Sequence, residues 1–133
     1  MVEGFVSGEV YLAAVRTFPQ EEGTILYFIL KFRIISDIDA LSAYFNSIGI
    51  GKGDSVTIFL PNVVHAFTTF YSLNKIGVIA NIVHPLTSPE GLKESMDLTD
   101  TKAIFILDIL SAKYVDSLNK FDIPVIICSN SDY

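Results

Sequence analysis

The chain has 133 residues, of which 50% are hydrophobic and 18% charged, and its formal net charge is −6. This length predicts one domain or part of a larger one, since domains of about 100 to 150 residues are the most common. The nine Lys and Arg residues are scattered along the chain, so no basic face is expected and the composition argues against a nucleic-acid-binding protein.

Residues 24–35, TILYFILKFRII, are the best candidate for a membrane span, but Lys31 and Arg33 interrupt them. The stretch is also shorter than the roughly 20 apolar residues that a bilayer helix needs. The first ten residues lack the basic start and apolar centre of a signal peptide. We therefore expect a cytoplasmic protein without a transmembrane segment. Because its mean hydropathy is +0.47, its apolar surface is expected to need a partner, either another chain or the rest of a longer protein.

Cys128 is the single cysteine of the chain, so it cannot form an internal disulfide. It lies in the apolar run IPVIIC, where burial makes a thiol unreactive. The sequence suggests no His or Asp that could activate it. The pattern therefore predicts a core residue instead of a catalytic nucleophile.

The first 23 residues are poorly patterned, and an α/β core is expected over residues 24–133. Residues 24–35 are rich in β-branched and aromatic residues, and their even-numbered positions are all apolar. This alternation predicts a strand with one buried face. The side chains of that face are Leu26, Phe28, Leu30, Phe32 and Ile34.

A helix is predicted over residues 36–48. Ser36 suits the N-cap, and Asp37 and Asp39 suit the first turn, where the helix dipole favours acidic groups. Apolar residues recur at intervals of three and four, which gives the helix one apolar stripe. That stripe consists of Ile38, Leu41, Tyr44, Phe45 and Ile48. Gly49 then fits the left-handed residue that ends many helices.

From residue 55 onward, strands and helices alternate. The predicted strands are 55–60, 78–83, 102–107 and 123–128, and the helices between them are expected to begin near residues 63, 88 and 111. Asn62 is expected to cap the first of these helices, and Ser88 with Pro89 to begin the second. This alternation predicts a mostly parallel sheet with right-handed crossovers, so the predicted fold class is α/β.

Residues 49–54, GIGKGD, have two interpretations, a phosphate-binding loop or a simple turn. Nucleotide-binding glycine loops follow a strand and precede a helix, whereas here the order is helix, glycines, strand. The turn thus lies at the amino end of its strand, and ligands of open α/β sheets bind at the carboxyl ends. The order favours the turn: Gly49 ends the helix, and Gly51 and Gly53 reverse the chain.

The loops at the carboxyl ends of the strands are better candidates for a ligand site. They contain Pro61-Asn62, His84 to Ser88, and Asp108. The positional rule identifies an edge and no particular residue, so ordinary loop residues remain the favoured interpretation of His84 and Asp108. His65 lies one turn into a helix and is expected to be packed or solvated. Two His and one Cys, far apart, make no zinc site, and we assign no catalytic, cofactor-binding or metal-binding residue.

Five segments together resemble the start of the adenylate-forming acyl-CoA synthetase family, also called AMP-dependent synthetases and ligases. They are Gly49 to Asp54, Leu60 to Asn62, Asn74 to Gly77, His84 to Leu92 and Asp100 to Phe105. The likeness covers about residues 34–128, and His84-Pro85-Leu86 is most similar to the long-chain fatty acyl-CoA synthetases. Two departures are the absence of turn residues in 24–35, where the family has a hairpin, and Ser55, where a basic residue is common.

The resemblance implies that the chain is the amino-terminal part of the large domain of such an enzyme. Members join a carboxylic acid to ATP, with magnesium, and pass the acyl group from AMP to coenzyme A. Their chemistry depends on a Ser/Thr/Gly-rich phosphate loop ending in Pro-Lys-Gly, an aromatic-Thr-Glu stretch, a ribose-binding Asp and a Lys on a small mobile domain. These motifs follow the region matched here, so we expect this chain to bind no cofactor and to be inactive alone.

Two kinds of partner follow from this interpretation. The apolar surface is expected to be covered by the remainder of the synthetase large domain, or by a second copy in a dimer that pairs the strand at 24–35. An alternative function stays open: a free-standing α/β interaction or small-ligand-binding module without catalysis.

Overall fold

The computed structural model describes residues 22–129, with side chains from Arg33 onward. Within these residues the chain forms a long first helix, followed by four strands that alternate with three further helices. The helices are α1 Glu22–Ser47, α2 Val64–Lys75, α3 Pro89–Leu98 and α4 Asp108–Leu118. The strands are β1 Ser55–Phe59, β2 Ile79–Ile82, β3 Thr101–Leu107 and β4 Val125–Cys128. The predicted structure of residues 1–21 lies outside the described residues.

The strand predicted at 24–35 is wrong, because these residues form the first half of α1. The stretch is apolar at nearly every position, odd-numbered ones included, and such runs do not distinguish a strand from a buried helix. No Gly or Pro interrupts the chain between Thr24 and Ile48, so nothing stops the predicted helix from extending backward. A dimer that pairs strands at this point therefore has no structural basis, and self-association itself stays a prediction.

The first helix also changes the roles predicted for its acidic residues. Ser36 lies inside α1 and is exposed, so it is not an N-cap. Asp37 is buried, with only 4% of its surface exposed, and its Oδ2 lies 3.9 Å from Nε of Arg33 one turn earlier. A buried carboxylate is costly without an opposite charge, so this pair offsets the burial of Asp37. Gly49 ends the helix with φ of 84°, as predicted.

The four strands form one parallel sheet in the order β2-β1-β3-β4, which confirms the predicted α/β fold. In the β1–β3 pair Val56 lies opposite Ala103, and one irregularity separates it from the pairing of Ser55 with Thr101. Parallel strands need crossover helices, and α2, α3 and α4 provide them. The chain therefore passes from β1 outward to β2 and then back across β1 to β3.

The central strands β1 and β3 are covered on both faces, so they are apolar on both sides. Side chains from α1 and α2 cover one face, where Phe45 packs on Phe105 with ring centroids 5.8 Å apart. Side chains from α3 and α4 cover the other face, where Phe59 meets Tyr114 edge to face at 4.8 Å. Residues of β3 alternate between the two cores. Ala103, Phe105 and Leu107 belong to the first core, and Ile104 and Ile106 to the second.

A buried polar cluster joins the edge strand β2 to its neighbours. The Thr57 hydroxyl lies 2.6 Å from the Thr101 hydroxyl and accepts a hydrogen bond from the Asn81 amide at 3.1 Å. The same amide donates to Ser95 at 3.0 Å and to Thr99 at 3.3 Å on the α3 side. Because buried polar groups are costly when unpaired, this cluster fixes how α3 sits against β1 and β2.

Of the two N-caps predicted for α2 and α3, one is confirmed and the other is wrong. Ser88 caps α3, with its Oγ accepting from the Gly91 N–H at 3.2 Å and Pro89 in the first helical position. The cap of α2 is Val63, which makes no side-chain capping bond, and not Asn62. The preceding turn is closed by the Val63 N–H donating to the Pro61 carbonyl at 2.7 Å, which moves the helix start one residue along.

Candidate functional site

The carboxyl ends of β1 and β3 meet where the strand order reverses. The chain leaves β1 toward β2 but reaches β3 on the opposite side. The helices that follow these two strands, α2 and α4, pack against different faces of the sheet. Helices that diverge in this way open a crevice, and this is where open α/β sheets bind ligands. The predicted candidates at this edge can now be placed.

His65 lies in the first turn of α2 and is half-buried. Its Nε2 is 2.9 Å from the backbone carbonyl oxygen of Ser129, directly after β4. This contact connects the start of α2 with the end of β4, across the carboxyl ends of the strands between them. His65 is therefore a packed residue with a structural contact, one of the two roles that its sequence position predicts.

Asp108 is the first residue of α4 and is exposed. Its Oδ1 accepts a hydrogen bond from the Ile109 N–H at 2.7 Å. A carboxylate at a helix N-terminus is favourable because of the helix dipole. The same negative charge disfavours a phosphate there, so the start of α4 is already stabilised by the protein's own anion.

His84 follows β2 and is exposed, with its Nδ1 accepting from the Leu86 N–H at 3.1 Å. The loop is closed by the Thr87 N–H donating to the His84 carbonyl at 2.9 Å. The Thr87 carbonyl in turn accepts from the buried Tyr114 hydroxyl at 2.5 Å. His84 thus shapes a loop that α4 holds in place.

The structure does not bring His84 and Asp108 together. They follow β2 and β3, which lie on either side of β1. Neighbouring strands are about 4.8 Å apart, so the ends of β2 and β3 are separated by about 10 Å. The two side chains make hydrogen bonds with backbone groups next to them in the chain, which agrees with the interpretation of both as loop residues.

The glycine turn lies at the opposite, amino edge of the sheet. The Gly51 N–H donates to Asp54 Oδ2 at 2.9 Å, and the Gly53 N–H donates to the Gly77 carbonyl at 3.0 Å. Both glycine N–H groups are thus used within the protein, as a turn requires and a phosphate cradle does not. Gly53 has φ of 90°, a left-handed conformation that favours glycine.

An open cleft of about 420 Å³ lies at the same amino edge. Its lining is formed by Ile48, Gly49, Ile50, Asp54, Asp100, Thr101, Lys102, Asp122, Ile123 and Pro124. Lys102 Nζ lies 2.8 Å from Asp100 Oδ2, and this hydrogen bond and charge raise the pKa of Lys102 above its ordinary value. The single cation of the cleft is therefore already paired with one of its carboxylates.

Cys128 is buried in the first core, with its Sγ 3.6 Å from the Ile106 carbonyl oxygen, which confirms its prediction as a core residue. Within residues 22–129, the His, Cys, Asp and Glu side chains form no group of three that could hold a metal ion. Within the same range, no helix is both long and apolar enough to span a bilayer.

The candidate side chains at the carboxyl edge, His65, His84 and Asp108, do not fit a magnesium–triphosphate group. Such a group needs cations or free backbone N–H groups around the phosphates and carboxylates for the metal. At this edge, the Asp108 carboxylate already accepts from the first N–H of α4, and the His65 and His84 rings contact backbone groups. We therefore derive no chemical step from these residues.

Comparison with known proteins decides the family of this chain. The family described as "AMP-binding enzyme" matches residues 35–130, which is most of the chain. The chain belongs to the AMP-binding enzyme family. The match covers all four strands and all helices except the first half of α1. The resemblance noted from the sequence is thereby confirmed.

Named relatives within the AMP-binding enzymes are acyl-CoA ligases of several kinds. The chain is 28% identical to the long-chain-fatty-acid–CoA ligase of Bacillus subtilis over 102 residues, which are 75% of the chain and 18% of that protein. It is 25% identical to the acetyl-coenzyme A synthetase of Dictyostelium discoideum over 113 residues, 84% of the chain and 17% of that protein. The chain thus spans less than a fifth of the length of these relatives.

Solved structures show the same fold. A long-chain-fatty-acid–CoA ligase from Archaeoglobus fulgidus superposes with a TM-score of 0.67 at 18% identity, over 75% of this chain and 20% of that one. A benzoate CoA ligase from Burkholderia xenovorans superposes with a TM-score of 0.70 at 11% identity, over 74% and 20%. The fold formed by the sheet and helices described above therefore recurs as part of these longer CoA ligases.

Proposed function

We propose that this chain is the amino-terminal part of the large domain of an ATP-dependent acyl-CoA synthetase. The parent enzyme activates a carboxylic acid as an acyl-adenylate, with ATP and magnesium, and transfers the acyl group to coenzyme A. The observation that carries this proposal is the family match over residues 35–130, together with relatives that are several times longer.

We further propose a fatty acid as the substrate of the parent and the cytoplasm as its location. The support for a fatty acid is the His84-Pro85-Leu86 segment, which resembles the long-chain branch, and the match to the Bacillus subtilis ligase. Acetyl-coenzyme A synthetases match as well, so the acid class is tested by measuring pyrophosphate exchange of the full-length protein that contains this chain, with palmitate and with acetate. The support for the cytoplasm is the composition, with a single cysteine in the chain.

The contribution of this chain is a scaffold and not the reaction itself. Stabilising a transferring group requires donors and cations placed where charge develops. Asp108, His65 and His84, the candidates at the carboxyl edge, contact backbone groups instead. We therefore expect the isolated chain to show no ATP–pyrophosphate exchange with acetate, palmitate or an aryl acid. Exchange above a blank, in a preparation free of host synthetases, would contradict this expectation.

A graft tests the proposed parent activity. The 102 aligned residues of the Bacillus subtilis ligase are replaced by the matching part of this chain, and pyrophosphate exchange is measured with palmitate and with acetate. Exchange with palmitate supports this chain as the scaffold of a CoA ligase, because the remainder of the graft, with its reacting groups, comes from the Bacillus subtilis enzyme. A folded graft without any exchange would count against the function as a whole.

A further inference from the structure

Tyr114 connects two elements at the carboxyl edge of the sheet. It lies on α4, which follows β3, and its hydroxyl donates to the Thr87 carbonyl oxygen at 2.5 Å in the loop that follows β2. Strand β1 lies between β2 and β3, and its Phe59 ring meets the Tyr114 ring edge to face. One side chain thus reaches from α4 past the end of β1 to this loop. Residues 84–88 are called here the 84–88 loop.

Core packing does not explain the hydroxyl of Tyr114. The side chain is 0% exposed and lies in the apolar core between the sheet and helices α3 and α4. A phenylalanine ring would fill nearly the same volume. A buried hydroxyl is costly unless it is hydrogen-bonded, and the bond here goes to the backbone of the half-buried Thr87. What the hydroxyl adds to the core is therefore a fixed link to the 84–88 loop.

The first turn of α3 contacts the same loop from a second direction. A Cβ placed on Gly91 would lie 2.9 Å from Cγ2 of Thr87, which is closer than side-chain atoms approach each other. The Gly91 N–H also donates to Oγ of Ser88 at 3.2 Å. Thr87 is thus fixed by α4 through its carbonyl group and by α3 through its side chain.

The tip of the 84–88 loop extends away from the core. Leu86 is 81% exposed, and His84 is exposed as well. The position of the tip therefore depends on its backbone, which Thr87 connects to His84 by an N–H to carbonyl bond at 2.9 Å and to Tyr114 by the bond described above. Exposed loops with few buried contacts open easily. Loss of the Tyr114 hydroxyl is thus expected to loosen the tip.

The tip lies at the edge where open α/β sheets bind ligands. Its residues are His84, Pro85 and Leu86, so it offers no lysine or arginine to a triphosphate. An exposed leucine suits an extended, uncharged chain instead. Two substrates of the proposed reaction have such a chain, the fatty acid and the thiol-bearing arm of coenzyme A.

We propose that Tyr114 is a positioning residue for the reaction of the parent enzyme. It fixes the 84–88 loop in the conformation that binds the uncharged chain of a substrate, without contacting that substrate itself. This inference rests on the proposed function. A loop that is already ordered does not have to be ordered by the substrate, so less binding free energy is lost. Because the loop is ordered in the bound state in either case, loss of the link should raise KM and leave kcat nearly unchanged.

The test is Tyr114→Phe in the full-length protein that contains this chain. Pyrophosphate exchange gives KM and kcat for ATP and for palmitate or acetate, whichever acid is activated, and acyl-CoA formation gives them for coenzyme A. The KM of the acid or that of coenzyme A should rise about fivefold, the factor that one ordinary hydrogen bond contributes. The KM of ATP and the kcat should stay within about twofold of the wild type. The KM that rises identifies the substrate whose chain the loop binds.

Two variants are matched controls. Tyr71→Phe removes a phenolic hydroxyl from a side chain of α2 that is exposed. Ser42→Ala removes a buried hydroxyl that bonds to the Ser72 carbonyl on the other face of the sheet. Neither should change any KM. Amide hydrogen exchange of the 84–88 loop, followed by mass spectrometry, should be faster in Tyr114→Phe than in either control.

Gly91→Ala displaces the loop from the α3 side and is a second, independent variant. It should raise the same KM as Tyr114→Phe does. Adding Thr87→Ser removes the Cγ2 atom that the new Cβ would meet, so the double variant should restore this KM. The pair makes the same comparison if Tyr114→Phe does not fold.

Unchanged amide exchange of the 84–88 loop in Tyr114→Phe would overturn the proposal. Faster exchange with every KM unchanged would also overturn it, because the link would then be structural only, and so would an equal rise of all three KM values. A full-length protein that exchanges pyrophosphate with neither acid would refute the proposed function and with it the role in substrate binding. The amide exchange would then still decide whether Tyr114 fixes the loop.

Discussion

Replacing Gly53 by alanine tests whether the glycine turn is a structural device. Gly53 has φ of 90°, and a Cβ placed on it would meet nothing within 4 Å. The whole effect of alanine is therefore the cost of a left-handed backbone, about 1 kcal/mol. We expect the free energy of unfolding to fall by about that amount, with the rest of the fold unchanged.

Gly51→Ala is the matched control two residues earlier in the same turn. Gly51 also has open space around its Cβ position, but it is not among the glycines with positive φ. Alanine there should stabilise by about 0.4 to 1 kcal/mol, because it reduces the freedom of the unfolded chain. The two variants should therefore differ by about 1.5 kcal/mol, or roughly 6 °C in melting temperature for a chain of this size.

Thermal and urea unfolding, followed by circular dichroism, measure this difference. Both transitions must be reversible and two-state for the free energies to be compared. Equal melting temperatures for Gly53→Ala and Gly51→Ala would refute the reasoning, since only Gly53 has a left-handed backbone. A variant that gained or lost binding of a nucleotide would refute the assignment of these residues as a turn.

Three further predictions concern buried or capping hydroxyls, each measured by urea unfolding. The Thr69 hydroxyl is buried without a hydrogen-bond partner among the described residues. Thr69→Val should therefore raise the free energy of unfolding by about 1 kcal/mol. A lower free energy of unfolding would show that the hydroxyl has a partner such as water. Thr57→Val, equally buried but bonded to Thr101, should destabilise by about 1 kcal/mol, and no effect would mean that the polar cluster is unimportant. Ser88→Ala should lower stability by about 1 kcal/mol and Ser88→Gly by only a few tenths, because glycine is also a good N-cap; equal losses would contradict the capping role.

The sequence determined the alternation from residue 55 onward. Strands such as β1 and β3 are short apolar runs bounded by turn residues, and the helix between β2 and β3 begins with a serine cap followed by proline. These signals are local, so they can be interpreted without knowing what each segment packs against. The same locality explains why the left-handed conformation of Gly49 was predicted correctly: such conformations depend on the residue itself.

From the sequence, the candidate site could be located only to the carboxyl edge of the sheet and not to particular residues. The order of strands and helices indicates that Asn62, His84 and Asp108 follow the carboxyl ends of strands. It does not indicate that β1 separates the strands before His84 and Asp108, which keeps these two residues apart. Nor does it indicate that His65 contacts Ser129, 64 residues later. Such contacts depend on strand order, which no local pattern contains.

Only the tertiary structure decided that residues 24–35 form a helix and which residues make up the polar cluster. A run that is apolar at both odd and even positions suits a helix or a strand, and the choice depends on packing against the rest of the chain. Thr57 lies in the middle of an otherwise apolar strand, and its sequence neighbours give no sign of its partners. The hydroxyl of Thr101 and the amide of Asn81, 44 and 24 residues away, reach it because β1 pairs with both β3 and β2. Strand pairing brings distant polar groups together, and this is why their roles could be assigned only from the folded chain.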